Sequence, residues 1–126
     1  TGRPLSREPS TMSIKRLHVG PRMSEAVVHN GTVYLAGQVA DDASQDIAGQ
    51  TRQVLDQIDA LLSAAGSGRE RILRAEIFLP DMGDFPAMNA VWERWVTPGH
   101  TPARATVQAA LADPAWKIEI VITAAV

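Results

Sequence analysis

The chain has 126 residues, no cysteine, 12 Lys+Arg against 14 Asp+Glu, and a formal net charge of −2. That length suits one domain. The missing cysteines exclude disulfide frameworks, thiolate metal sites and thiol nucleophiles, and the charge gives no general basic footprint for nucleic acid. Three tryptophans, one tyrosine and two phenylalanines supply all the aromatic side chains, so the core rests on Ala, Val, Ile and Leu, and self-association offers a way to bury more surface.

Residues 1–11, TGRPLSREPST, are polar, carry two prolines and show no periodicity. They read as a flexible N-terminal extension or an expression remnant, leaving residues 12–126 as the folded domain. They lack the apolar run of a secretory signal. No later stretch approaches the ~20 apolar residues of a membrane span, so the expected setting is cytoplasmic, without membrane contact.

The spacing predicts a short strand over Ile14 to Val19, then a hairpin. Ala26 to His29 and Thr32 to Gly37 flank Asn30-Gly31, the pair favoured in a type I′ turn because both central residues need positive φ. A long amphipathic helix follows from about Asp46 to Ala65, with Ile47, Val54, Leu55, Ile58, Leu61 and Leu62 on its apolar stripe. Ser44 or Asp46 is the expected N-cap and Gly66 the C-terminal stop. The other face, with Gln50, Arg52, Gln53, Gln57 and Asp59, reads as solvated. Ile72 to Leu79 reads as a strand ending at Pro80. A second helix runs from Phe85 to Trp95 behind Asp84, and its Phe85, Met88, Val91, Trp92 and Trp95 stripe reads as core. Ala103 to Ala110 and Lys117 to Ala125 are the last two strands. The order β-β-β-α-β-α-β-β predicts an α+β domain: a mixed sheet with two helices on one face.

No phosphate-binding loop, zinc-protease helix, calcium loop or nucleophile elbow is present. The histidines, His18, His29 and His100, are far apart and none sits at metal-ligand spacing with an acid, so no metal is expected. The chemistry-bearing cluster lies near the C-terminus. If the last two strands pair as a hairpin, alternation puts Arg104 and Glu119 on the same sheet face, with Thr106 and Val121. An arginine fork binds a carboxylate in bidentate fashion, and a carboxylate can orient or deprotonate water. The pair therefore reads either as a minimal site for hydrating a small acid or as a cross-strand salt bridge.

The segment PARATVQAALADPAWKIEI resembles the C-terminal signature of the RidA/YjgF (reactive intermediate deaminase, L-PSP) family: Pro-x-Arg, then small and hydrophobic positions, then aliphatic-Glu-aliphatic. Ala36-Gly37-Gln38, the helix end Ala64-Ala65-Gly66 and Asp84-Phe85-Pro86-Ala87-Met88-Asn89 extend the resemblance over nearly all of residues 14–126. The Val-Val-His-Asn hairpin and Gly-His-Thr-Pro are similar to a YoaB-like branch. The resemblance implies a chorismate-mutase-like two-layer fold in a trimeric barrel, a homotrimer with three sites between subunits. It implies cofactor-free hydrolysis of 2-imino or enamine acids to 2-keto acids and ammonia. By position, Arg104 would hold the substrate carboxylate, Glu119 would position water with the backbone near Thr106, the Gly37 backbone would contact the ligand, and Asn89 would be structural.

The sequence also departs from that pattern. Gly20-Pro21 is followed by Arg22-Met23 and not by tyrosine, Thr106 stands where Cys or Ser is common, Val121 replaces a frequent second Glu, and Ala36 replaces a Ser. Arg22 reads either as a second anion contact or as an exposed arginine. The alternatives to a deaminase are a non-catalytic binder of small carboxylate metabolites and, against the negative charge, an endoribonuclease or translation inhibitor. No nucleic-acid partner is expected.

Overall fold

Short-range signals build most of this domain, and long-range pairing then decides which faces meet. The computed structural model describes residues 13–126; the expectation for residues 1–11 lies outside them. Three strands come first: β1 (Lys15–Val19), β2 (Ser24–His29) and β3 (Thr32–Leu35). The β2–β3 turn is the expected one, with φ of 57° at Asn30 and 78° at Gly31, and His29 pairs with Thr32 across it. Helix α1 (Ile47–Ala64) follows. Asp46 is its N-cap, accepting a 2.8 Å bond from the Gly49 N–H, and Gly66 takes a φ of +83° beyond its end. A 3₁₀ turn (Arg69–Arg71) leads into β4 (Ile72–Leu79). Helix α2 (Phe85–Trp95) starts at Asp84 with Pro86 in its first turn. The chain ends with β5 (Ala103–Gln108) and β6 (Glu119–Ala125).

The six strands form one sheet in the order β1-β2-β3-β6-β4-β5. All neighbours are antiparallel except β4 and β5, which run parallel because α2 carries the chain back between them. Both helices cover one face. Ala26, Val33, Leu35, Ala75, Ile77, Leu79, Ile120, Ile122 and Ala124 from the sheet meet Val54, Leu55, Ile58, Leu62, Met88 and Trp92 from the helices, all buried. The α+β class and the two-on-one layering are as expected.

Two expectations fail for identifiable reasons. The last two strands do not form a hairpin: β4 lies between them, pairing parallel with β5 and antiparallel with β6. Gln50 is not on a solvated face but fully buried. Its side-chain N–H₂ donates to the carbonyls of Ala43, Gln45 and Ala115 at 3.0–3.1 Å, and its carbonyl accepts from the Lys117 N–H at 2.9 Å. A buried amide fully used in this way joins the backbone of two loop segments. It ties the loop before α1 to the segment that delivers β6, and so fixes where Glu119 begins.

Candidate active site

Arg104 is the second residue of β5, a strand at the edge of the sheet. It pairs with Ala75, and Ala75 on its other side pairs with Ile122. Directly paired residues point to the same face, so Arg104 shares the helix-covered face with these core residues. Phe78 pairs with both Val107 and Glu119, which puts Glu119 on the opposite, uncovered face. The expectation that Arg104, Thr106, Glu119 and Val121 share one face is therefore corrected. Alternation along each strand was read properly, but the intervening strand sets the two patterns out of phase. The salt-bridge reading fails with it: among the described residues the ion pairs are Arg69–Asp59 and Arg74–Glu76.

The Arg104 side is an aromatic cradle. The guanidinium carbon lies 5.4 Å from the Trp92 ring centroid and 5.8 Å from that of Phe85, within cation–π range. The stripe that reads as plain core in the sequence thus supports the key cation at its edge. Asn89 lies between Phe85 and Trp92 on the same helical stripe by the i, i+4, i+7 spacing. Burial pulls the Arg104 pKa down, opposed by the Coulombic pull of Glu93; arginine keeps its charge throughout the working pH range. Two residues along, Thr106 points to the same face, and its Oγ1 is buried with no hydrogen-bond partner among the described residues. An orphaned buried hydroxyl costs about 1–3 kcal/mol. A cation with no ion pair among the described residues and a hydroxyl without a partner, both on one strand, form a surface suited to an anionic ligand.

The Glu119 side is built by close approach. After β3 the chain leaves the ladder at Ala36 and rejoins β6 through the Gln38–Ile120 bridge. This brings Gly37 against the Glu119 side chain: a Cβ at position 37 would overlap Glu119 Oε2 and lie 2.8 Å from its carboxyl carbon. Gly37 is not among the positive-φ glycines, so the position is small for space alone. Gln38, buried next to it, donates from Nε2 to Glu25 Oε1 at 3.1 Å and to the Ala36 carbonyl at 3.0 Å. Glu25 and Arg22 line one surface cleft of about 480 Å³ with His18, Gly20, Pro21 and Met23. Arg22 is exposed and shares that cleft with Glu25, the acceptor of the Gln38 bond. The roles of Glu25 and Gln38 were missed in the sequence. Their signal was a glutamine directly after the Ala-Gly break, where a strand would otherwise end in solvent.

Among the described residues no group of three or more His, Asp or Glu could hold a metal, and no helix is long and apolar enough to cross a membrane. One protomer thus carries Arg104 and Thr106 on the helix-covered face at the sheet edge, and Glu119 on the opposite face.

The family model described as Endoribonuclease L-PSP matches residues 13–126. The chain belongs to the RidA/YjgF family. The RutC family protein YoaB of Escherichia coli K12 is 48% identical over 115 residues, covering 91% of this chain and all of that protein. A RutC family protein of Haemophilus ducreyi is 47% identical over 113 residues, 90% of this chain and 97% of the other. The crystal structure of a YjgF family member from Neisseria meningitidis superposes with a TM-score of 0.89 at 48% identity, over 91% of this chain and 96% of that one. The RidA/YjgF relatives therefore share the whole described fold.

Proposed function

We propose that this protein hydrolyses 2-imino acids and their enamine tautomers to 2-keto acids and ammonia, without a cofactor, at sites formed between copies of the chain in a homotrimer. The observation that carries this reading is the division of the site. Arg104 is held against two rings and makes no ion pair among the described residues, and Glu119 is pressed on Gly37 on the opposite face. The two groups can act on one small molecule when the β5 edge of one copy meets the uncovered face of another. That face exposes apolar side chains on two of its strands, with Tyr34 50% and Val107 47% exposed.

In the assembled site the Arg104 fork holds the substrate carboxylate and the Thr106 hydroxyl donates to it. Glu119 orients a water toward C2 of the iminium. As the water oxygen bonds to C2, the C=N π electrons move to nitrogen and Glu119 accepts the water proton. The carbinolamine then collapses: Glu119 returns the proton to nitrogen, the C–N bond breaks, and the hydroxyl proton leaves with ammonia as ammonium. The balance is one iminium carboxylate plus one water to one keto acid plus one ammonium. Imines hydrolyse unaided in water, so holding electrophile and nucleophile in register is sufficient catalysis.

The test is keto-acid release from freshly generated imino acids. The wild-type chain accelerates it and Arg104→Ala does not; equal rates for the two across several imines would overturn the proposal. A second reading, a carboxylate binder without turnover, is favoured by Val121, which leaves Glu119 without a neighbouring acid on its strand. It predicts calorimetric binding of 2-ketobutyrate that depends on Arg104, with no acceleration of any imine.

A further inference from the structure

The helix layer carries a second concave site, on the side of the domain away from the uncovered sheet face. Its walls come from one spacing used twice. Arg52, Leu55 and Asp56 on α1 and Val91, Arg94 and Trp95 on α2 each follow i, i+3, i+4, and together with Arg69 from the 3₁₀ turn they line a cleft of about 290 Å³. The spacing puts apolar side chains on the floor and charged ones on the rims. Leu55, Val91 and Trp95 are 1%, 5% and 9% exposed.

Arg69 closes one end and is fixed in place. Its guanidinium lies 4.8 Å from the Trp95 ring centroid, donates to the Trp95 carbonyl at 2.7 Å, and pairs with Asp59 at 2.6 Å. The Trp95 indole N–H donates to the same Asp59 oxygen at 3.1 Å. Asp59 therefore neutralises Arg69 and locks both walls. Arg52 and Arg94, on opposite rims, have no ion-pair partner among the described residues. Asp56 is the one carboxylate on the rims. With Arg69 neutralised, two guanidinium groups stand against one carboxylate, an excess of one positive charge over an apolar floor.

We infer that this cleft binds a small monoanion with a flat apolar body, an aromatic or short branched carboxylate, its carboxylate bridging Arg52 and Arg94 and its body against the exposed edge of Trp95 and the aliphatic stems of the two arginines. Arginine forks suit a planar carboxylate, and a shallow apolar floor with a few convergent polar groups is the usual make-up of a small-molecule site. This site stands independently of the proposed deaminase activity and shares no residue with it.

The experiment is an amide and indole NMR titration with benzoate of the Arg104→Ala protein, in which binding at the sheet edge is already disabled. Saturable shifts at Val91, Arg94 and the Trp95 indole are expected. The Arg52→Gln/Arg94→Gln double variant, which keeps much of the aliphatic stems, should weaken the apparent affinity about tenfold, as two partly exposed charge pairs would. Benzyl alcohol should shift these signals without saturating. Absence of saturable shifts, shifts unchanged in the double variant, or benzyl alcohol equal to benzoate would each overturn the inference.

Discussion

If Arg104 and Glu119 serve the same substrate from different copies, two inactive variants should rescue each other. Arg104→Ala removes a fork that donates two charge-assisted hydrogen bonds to the substrate carboxylate, worth about 3–5 kcal/mol together and so roughly a 10²–10⁴-fold loss in kcat/KM. Glu119→Gln keeps the shape at Gly37 but removes the proton acceptor, with an expected loss of roughly 10²–10⁴-fold. In an equimolar mixture of exchanged subunits, about one half of the Arg104 half-sites are intact. About one half of the facing Glu119 half-sites are intact as well. A closed ring with heterologous contacts then has about a quarter of its sites complete. Activity should follow the product of the two mole fractions, peaking at equal amounts. A coupled keto-acid assay on mixtures equilibrated across ratios would trace that curve, with native mass spectrometry confirming mixed oligomers. Mixed oligomers that stay at the level of the parents would refute the division of the site.

Thr106→Val should leave the unliganded protein equally stable or up to about 1 kcal/mol more stable, because it replaces an unpartnered buried hydroxyl with an isosteric methyl. The same change should weaken carboxylate binding measured by calorimetry. Gln50→Ala should cost about 3 kcal/mol in denaturant unfolding, since it leaves a cavity, three carbonyls and one N–H without their partner. Asp42 accepts from the Ser44 hydroxyl and N–H and from Gln45, and these bonds lower its pKa. Its contribution to stability is thus present above the unfolded pKa and lost as the pH falls through the folded one; an NMR titration should give a midpoint below that of an ordinary aspartate, moving up in Ser44→Ala.

Local chemistry was legible in the sequence wherever neighbours along the chain determine the outcome. Asn30-Gly31 dictates its turn, Asp46 caps the helix that periodicity locates, and both helices and the core strand β4 fall where their apolar spacing puts them. Strand ends shift by a few residues. β3 stops at Leu35 because the chain turns to meet β6, and β6 starts at Glu119 because the preceding residues are held by Gln50 instead. The facing of Arg104 was not legible, since it depends on β4 entering between two strands that are adjacent in sequence, and no local pattern encodes that. Gln50 misled for the related reason that its partners lie 5, 7, 65 and 67 residues away. A polar residue on a helix signals solvent only when nothing distant needs its hydrogen bonds. The signature motif was legible because its residue types and spacing stand in the sequence whatever the strand order, and the family it pointed to is the one the chain belongs to.

Gly37 has a consequence of its own. It is not among the positive-φ glycines, and the nearest atoms to the place of a Cβ all belong to the Glu119 side chain. Most glycines that resist replacement do so because the fold breaks. Here an alanine is expected to leave the fold standing and displace one carboxylate, so under the proposed mechanism the tolerance of this position to change gauges the reaction and not stability. A library screened at this codon for solubility and then for turnover should separate the two properties more cleanly than at any buried residue of the core.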